Sequence, residues 1–355
     1  MPVAATSDIL FERRGAAGLI ILNRPHALNA VTHEMVRAMA ATLVQWRDDL
    51  AVTRVVITAA GDRAFSAGGD IRALHDLGKA SRHEEALAFW RDEYPLNALI
   101  KHYPKPYVAL IDGLVMGGGF GVSMHGSHRV AGDRFRFAMP EVGIGFFPDV
   151  GATYLLPRIP GEIGTFIALT GERMSGDEAA ATGIATHRVP SARFSALAEA
   201  LSEETSVDAV LAAFAEPAGE APILARRSAI ARFFAHDWVE DILTVLDAEA
   251  GATGTEAQWA ATIAATVRTK SPLSLKIALR QMRLGPRLTF TAAMRTEFRI
   301  VSRIVRGHDF YEGVRAVIID KDNTPRWRPA DLAAVSEAEV ERHFAPLGAA
   351  ELDLV

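Results

Sequence analysis

Two acids, Glu141 and Asp149, lie in the segment Ala138-Met-Pro-Glu-Val-Gly-Ile-Gly-Phe-Phe-Pro-Asp-Val-Gly151. Pro140, Gly143, Gly145, Pro148 and Gly151 forbid a regular helix, so the segment is expected to be a loop holding both acids beside Phe146 and Phe147. A carboxyl group next to aromatic rings loses hydration, which favours its neutral form and suits it to acid/base work. A surface loop with two solvated acids would have the same composition. The segment alone leaves both readings open.

Two further glycine-rich stretches can present backbone donors. In Ala64-Phe-Ser-Ala-Gly-Gly-Asp-Ile71, a glycine pair precedes an Asp at a loop-to-helix turn. Such a turn lets backbone N–H groups point at a ligand, or simply closes with Asp as helix cap. In Asp112-Gly-Leu-Val-Met-Gly-Gly-Gly-Phe-Gly121, the glycines follow the strand candidate Tyr107–Ile111. A dinucleotide loop needs G-x-G-x-x-G, and with Gly117 and Gly119 in place the third position is Val122. No Walker lysine follows either. What remains is close helix–strand packing or a backbone donor site for an oxyanion.

The rest of the composition narrows the chemistry. With no cysteine in 355 residues, disulfides, thiolate metal sites and cysteine nucleophiles are excluded. Lys+Arg number 38 against 43 Asp+Glu, a net charge of −5, which gives no reason to expect a nucleic-acid partner. His125 and His128 lack a third ligand at metal spacing, so no metal is expected. The longest apolar run in the first thirty residues is Leu19-Ile-Ile-Leu22, short of the roughly 7–15 residues of a signal-peptide core. No stretch approaches the ~18 apolar residues of a membrane span. A soluble, cytoplasmic protein with no membrane partner is expected.

The elements that must position these residues alternate in the first half. Strands are expected at Gly18–Asn23, Arg54–Thr58, Tyr107–Ile111 and Arg134–Ala138. Between the first two, Thr32–Asp49 places Met35, Val36, Met39, Leu43 and Trp46 on one helical face. Ser175-Gly-Asp-Glu178 has the form of a capping box. From about Ser191 the pattern is Ala-rich and helical, with further helices opening at Ser271 and running over Met294–Val305. The expectation is an α/β core over residues 1–190, carrying the chemistry, and a mainly helical region over 191–355.

The three glycine-rich segments occur together with Asn23-Arg-Pro-His-Ala-Leu-Asn-Ala30, Lys105-Pro-Tyr-Val-Ala-Leu-Ile-Asp-Gly113, Ala168-Leu-Thr-Gly171, Arg306-Gly-His-Asp-Phe-Tyr-Glu-Gly-Val-Arg-Ala316 and Ile319-Asp-Lys-Asp322. In this order they resemble the enoyl-CoA hydratase/isomerase (crotonase) superfamily over most of the chain, and within it the thioester hydrolases. The resemblance implies a spiral core of ββα units and an acyl-CoA substrate, with 3-hydroxyisobutyryl-CoA or a similar short 3-hydroxyacyl-CoA cleaved to the free acid and CoA, as in valine degradation. No cofactor is implied, since CoA enters as part of the substrate. Monomer and homo-oligomer both stay open.

The same resemblance assigns positions. Backbone N–H groups at Gly69 and Gly118 would bind the thioester carbonyl. Of the two glutamates that hydratases use, the second matches Glu141, while the first would fall at position 121, here glycine. Asp149 matches the hydrolases. Glu93, in Arg91-Asp-Glu-Tyr94, matches an acid that contacts substrate, and Pro95 is expected to break its helix. Arg24, His26, Ala27 and Leu28, with Ala67, Asp70 and Ile71, mark the CoA-binding positions. An enoyl-CoA hydratase or isomerase on the same fold, and a non-catalytic CoA-binding member, are the rival readings.

Overall fold

A computed structural model describes residues 7–203 and 206–354. Among these, ten strands form two sheets. β1 (Ile9–Arg14) and β2 (Ala17–Leu22) make an antiparallel hairpin, turning at Gly15, whose φ is +57°. β3 (Arg54–Ala59) and β4 (Ala64–Ser66), β5 (Tyr107–Ile111) and β6 (Leu114–Val115), β7 (His128–Ala131) and β8 (Arg136–Phe137) follow as pairs. β9 (Met174–Ser175) and β10 (His187–Arg188) complete them. The large sheet runs β1-β2-β3-β5-β7-β10 and the small one β4-β6-β8-β9. From β3/β4 through β7/β8 each strand pair steps one place along both sheets in parallel, as a spiral of ββα units requires, and β9 closes the small sheet antiparallel to β8.

The four expected strands are present, though Arg134–Ala138 contracts to the two residues of β8. β2, β3 and β5 are near-continuous apolar runs because a parallel sheet is covered on both faces. α1 (His33–Asp48) starts where Thr32 accepts the Met35 N–H through its hydroxyl, and it buries the five residues its periodicity picks out. Trp46 on α1 lies flat against β2: a Cβ on Gly18 would stand 2.4 Å from its ring. On the sheet, Leu19, Val56, Val108, Leu110 and Val130 pack with Leu197, Leu201, Val210 and Leu211. Each such side chain contributes about 1.5–3 kcal/mol on burial. The capping box at Ser175 forms with both of its hydrogen bonds.

The chain divides into two compact units. One comprises the segments up to Asp70, Asp92–Ala138 and Arg173–Leu224, and holds both sheets. The other comprises Ile71–Arg91, Met139–Glu172 and Ala225–Val355, and is helical. This partition interleaves across residue 190, because helices Phe194–Ala200 and Val207–Phe214 supply the apolar cover of the large sheet. After β10 every regular element among the described residues is a helix, as composition indicated. Among the described residues no helix is long and apolar enough to cross a membrane.

Candidate active site

In the sheet-bearing unit the expected donors converge. α4 (Gly118–Ser123) begins at Gly118, so its N–H is one of the first-turn donors that lack an intrahelical acceptor. Gly117 allows the entry, with φ +44° and ψ −123°, a backbone only glycine takes readily. Gly69 is held at the other side by a parallel bridge to Val31, in which the Val31 N–H donates to Gly68 O and the Asp70 N–H to Val31 O. A Cβ built on Gly118 would lie 3.1 Å from Gly69 N and 2.9 Å from Glu93 Oε1. The two readings of the glycine run divide between neighbours. Gly118 sits at the donor pair, whereas Gly119 is a packing glycine, its Cβ position 2.7 Å from Ser66.

Glu93 lies on α3 (His83–Lys101), which runs through Pro95 rather than ending there. Proline in the interior withholds one N–H from the helix, and the helix absorbs that cost here because Tyr94, Leu96 and Ile100 around it are buried. Glu93 itself is only 1% exposed. Gly121, where hydratases would place their first glutamate, is buried inside α4.

The loop expected to bind CoA, Arg24–Leu28, is zipped to the Gly68–Gly69 turn. Ala67 N–H donates to Leu28 O at 2.9 Å, and Leu28 and Asn29 both take positive φ. Asn29 locks that turn: its side-chain amide donates to Ala60 O and Ala64 O, and its Oδ1 accepts the Arg24 N–H. Arg24 is ion-paired with Asp70 at 3.3 Å and Asp8 at 3.1 Å and donates to Ala30 O. Thus Arg24 and Asp70, both expected at the CoA, brace the loop through each other. His26 is exposed, Ala27, Leu28 and Ala67 are half-buried, and Ile71, also half-buried, opens α2 (Ile71–Lys79). His125 packs edge-on to Phe120 and His128 pairs with Asp208, so neither faces a common ligand.

In the helical unit the carboxyl pair is buried, the first of the two readings the segment left open. Glu141 heads a 3-10 turn, Glu141–Ile144, closed by Gly145 at φ +68°. That one helical turn is the sole departure from the expected loop. Glu141 and Asp149 are 6% and 4% exposed. Phe146 stacks on Trp90 and touches Phe147 and Phe310, forming an aromatic wall in the same unit. Burial, then the charge of Asp149, raises the Glu141 carboxyl well above its ordinary range. Glu141 Oε2 is buried with no hydrogen-bond partner among the described residues. An unpaired oxygen there is costly, which marks a group kept for a ligand or a reaction.

A third carboxyl was not apparent from the sequence. Glu297, fully buried on the helix Phe290–Ile304, accepts the Gly151 N–H at 2.8 Å and the Thr153 N–H at 2.9 Å. Its position far along the chain, in an ordinary amphipathic helix, carries no motif; a lone Glu among its apolar residues is the one available signal.

These features meet in a known class of protein, the acyl-CoA enzymes built on a spiral α/β core. The sequence profile of the enoyl-CoA hydratase/isomerase family matches residues 17–344, and the chain belongs to that family. It is 43% identical to the mitochondrial 3-hydroxyisobutyryl-CoA hydrolase of Danio rerio over 364 aligned positions, covering 100% of this chain and 94% of that one. To the Homo sapiens protein of the same name it is 40% identical, covering 98% and 91%. Its fold is similar to crystal structures of a carnitinyl-CoA dehydratase from Mycobacterium thermoresistibile (TM-score 0.92, 43% identity, covering 98% and 99%). An enoyl-CoA hydratase from Rhodobacter sphaeroides compares equally well (TM-score 0.91, 42% identity, covering 98% and 100%).

Proposed function

We propose that this chain is an acyl-CoA thioester hydrolase acting on 3-hydroxyisobutyryl-CoA or a similar short 3-hydroxyacyl-CoA. The observation that carries the reading is the buried Glu141/Asp149 pair combined with glycine at 121. Curated relatives of that activity, matched over nearly the whole chain, support it.

In the proposed reaction the Gly69 and Gly118 N–H groups take up charge as the thioester carbonyl becomes tetrahedral. Removing one such donor costs on the order of 3–4 kcal/mol where it has been measured. Glu141 then follows one of two courses. As nucleophile it forms an acyl anhydride, expels CoA thiolate, and is regenerated by water. As general base it takes a proton from water while the water oxygen attacks, and the proton goes to the leaving thiolate. Both consume one water and release acid and CoA. Repeated turnover in ¹⁸O-water separates them where water opens the anhydride at the Glu141 carbonyl, since only that course leaves label in the Glu141 carboxyl. Asp149 and Glu93 are assigned to the substrate hydroxyl and a water, and the Arg24–Leu28 loop with Ala67, Asp70 and Ile71 to the CoA moiety. No cofactor enters this scheme.

The names of the two similar crystal structures favour a second reading, hydration or dehydration of an enoyl-CoA. Gly121 opposes it, because water addition across a double bond needs a second carboxyl to share the proton work. Free-thiol release from 3-hydroxyisobutyryl-CoA, run beside hydration of crotonyl-CoA, decides: thiol release without hydration is expected, and the reverse outcome overturns the proposal. A chain that binds CoA but does neither is a non-catalytic member. The reading places the reaction at the hydrolytic step of valine degradation. The cytoplasmic assignment belongs to the same proposal, against relatives named as mitochondrial, and fractionation of the tagged chain tests it.

A further inference from the structure

The Asp149 loop is held in a backbone conformation that its own residues disfavour. Val150 has φ +51°, a left-handed value that β-branched side chains rarely adopt, and Gly151 follows at +91°. Backbone of this kind costs about 1–3 kcal/mol and persists only where its surroundings over-determine it. Two fully buried side chains from sequence-distant helices do so. Glu297 accepts the N–H groups of Gly151 and Thr153, one on each carboxylate oxygen. Gln281, on the helix Pro272–Leu284, donates through Nε2 to the Pro148 carbonyl at 2.9 Å and to Thr153 Oγ1 at 2.6 Å. The peptide groups on both sides of Asp149–Val150 are therefore pinned.

We propose that Glu297 is a positioning residue for hydrolysis, fixing the left-handed turn that aims the Asp149 carboxyl at the substrate hydroxyl, with Gln281 as a second brace. The inference rests on the reading of Asp149 as the group that recognises that hydroxyl. It explains why so costly an acid is kept on the buried face of an amphipathic helix. A carboxyl is the side chain that offers an acceptor oxygen to each of the two N–H groups, at the cost of burying an acid.

Charge ties the same groups together. Burial and the charge of Asp149 push the Glu297 carboxyl up to about 8, against the opposing pull of the Gly151 and Thr153 N–H groups and the Thr153 hydroxyl. Asp149 also raises Glu141. Asp149 thus couples to a carboxyl on each side, and the three do not all carry full charge at neutral pH. They do not form a metal site, since no metal-holding cluster of acids or histidines occurs among the described residues.

The test measures kcat and KM for 3-hydroxyisobutyryl-CoA and for isobutyryl-CoA from pH 5.5 to 9, in wild type, Glu297→Gln and Gln281→Met. Glu297→Gln keeps the shape but sets an amide donor against one of the two N–H donors. The preference for the hydroxylated thioester is expected to fall at least tenfold, mainly through KM. Hydrolysis of isobutyryl-CoA stays within about threefold. Wild type should show kcat/KM for the hydroxylated substrate falling above an inflection near pH 8, where Glu297 ionises beside Asp149, and Glu297→Gln should lack it. A purely structural role would lower Tm and scale both substrates alike, with the inflection retained, and that result overturns the proposal. Should Glu297→Gln fail to fold, Gln281→Met answers the same question: retained discrimination overturns the brace, and lost discrimination supports it. A wild type that cleaves neither thioester overturns the hydrolase reading and the role of Glu297 with it. A wild type with strong discrimination that Glu297→Gln leaves intact overturns the positioning role alone.

Discussion

The backbone at Gly118 passes so close to the Glu93 carboxylate that a Cβ placed on it would stand 2.9 Å from Oε1. The same Cβ would lie 3.1 Å from the Gly69 nitrogen, so any side chain at 118 enters the space between the donor pair and the acid. Gly118→Ala keeps the N–H but crowds this space and should lower kcat, whereas loss of one oxyanion donor lowers it by about 10²–10³-fold. Gly118→Pro deletes the N–H outright and should fall at least as far. Circular dichroism confirms that each variant is folded, and a folded Gly118→Pro with near-normal turnover would sink the oxyanion role.

Glu141 yields a pH prediction with a definite sign. A nucleophile or base must be ionised, and burial with the Asp149 charge holds Glu141 protonated beyond the ordinary carboxylate range. Hydrolysis should rise with pH along an acid limb displaced above the usual value of about 4.5. Asp149→Asn removes the repelling charge, so its limb should move to lower pH while its maximum rate drops. A limb at the ordinary carboxylate value in wild type, or one that moves upward in Asp149→Asn, contradicts the coupling.

Much of this was legible in the residues. The α1 face, the capping box at Ser175 and three of the four expected strands follow from periodicity and local caps, which depend on neighbours in sequence. β4, β6 and β9 have only two or three residues each, too few for alternation to register, and β8, expected over Arg134–Ala138, keeps only two of those residues. Pro95 misled because proline is costly in an isolated helix, whereas α3 is held by tertiary burial. Asn29, Gln281 and Glu297 were illegible as braces, since each acts on backbone groups that only the folded chain brings near it.

Stability should carry the signature of Glu297. Its carboxyl is raised from about 4.5 to about 8 in the folded chain, so between those values the native state binds more protons than the unfolded one. Stability from this group is complete below about pH 4.5 and is lost as pH rises through about 8. Glu297→Gln does not titrate there. The difference in urea midpoint between wild type and Glu297→Gln should therefore shift against wild type from pH 5 to pH 8, whatever its value at pH 5. A difference that stays flat over that window means Glu297 is not protonated in the folded protein.

Asp149 separates the hydrolase from its rivals. Its carboxyl is 4% exposed beside Phe146 and Phe147 and raises the carboxyls of Glu141 and Glu297, so it favours a hydrogen-bond donor brought by the substrate. A substrate 3-hydroxyl supplies one, and isobutyryl-CoA, lacking it, leaves the group to be desolvated for nothing in return. Sites built around such a hydroxyl reject the analogue by up to about 10⁴–10⁵-fold. 3-Hydroxyisobutyryl-CoA should accordingly be cleaved far faster than isobutyryl-CoA, and Asp149→Ala should shrink that ratio by slowing the first substrate much more than the second. Glu141→Ala should instead slow both alike, because its part is in breaking the thioester bond. Equal kcat/KM for the two thioesters in wild type removes Asp149 as the reader of the hydroxyl, and substantial activity in Glu141→Ala removes Glu141 from the chemistry.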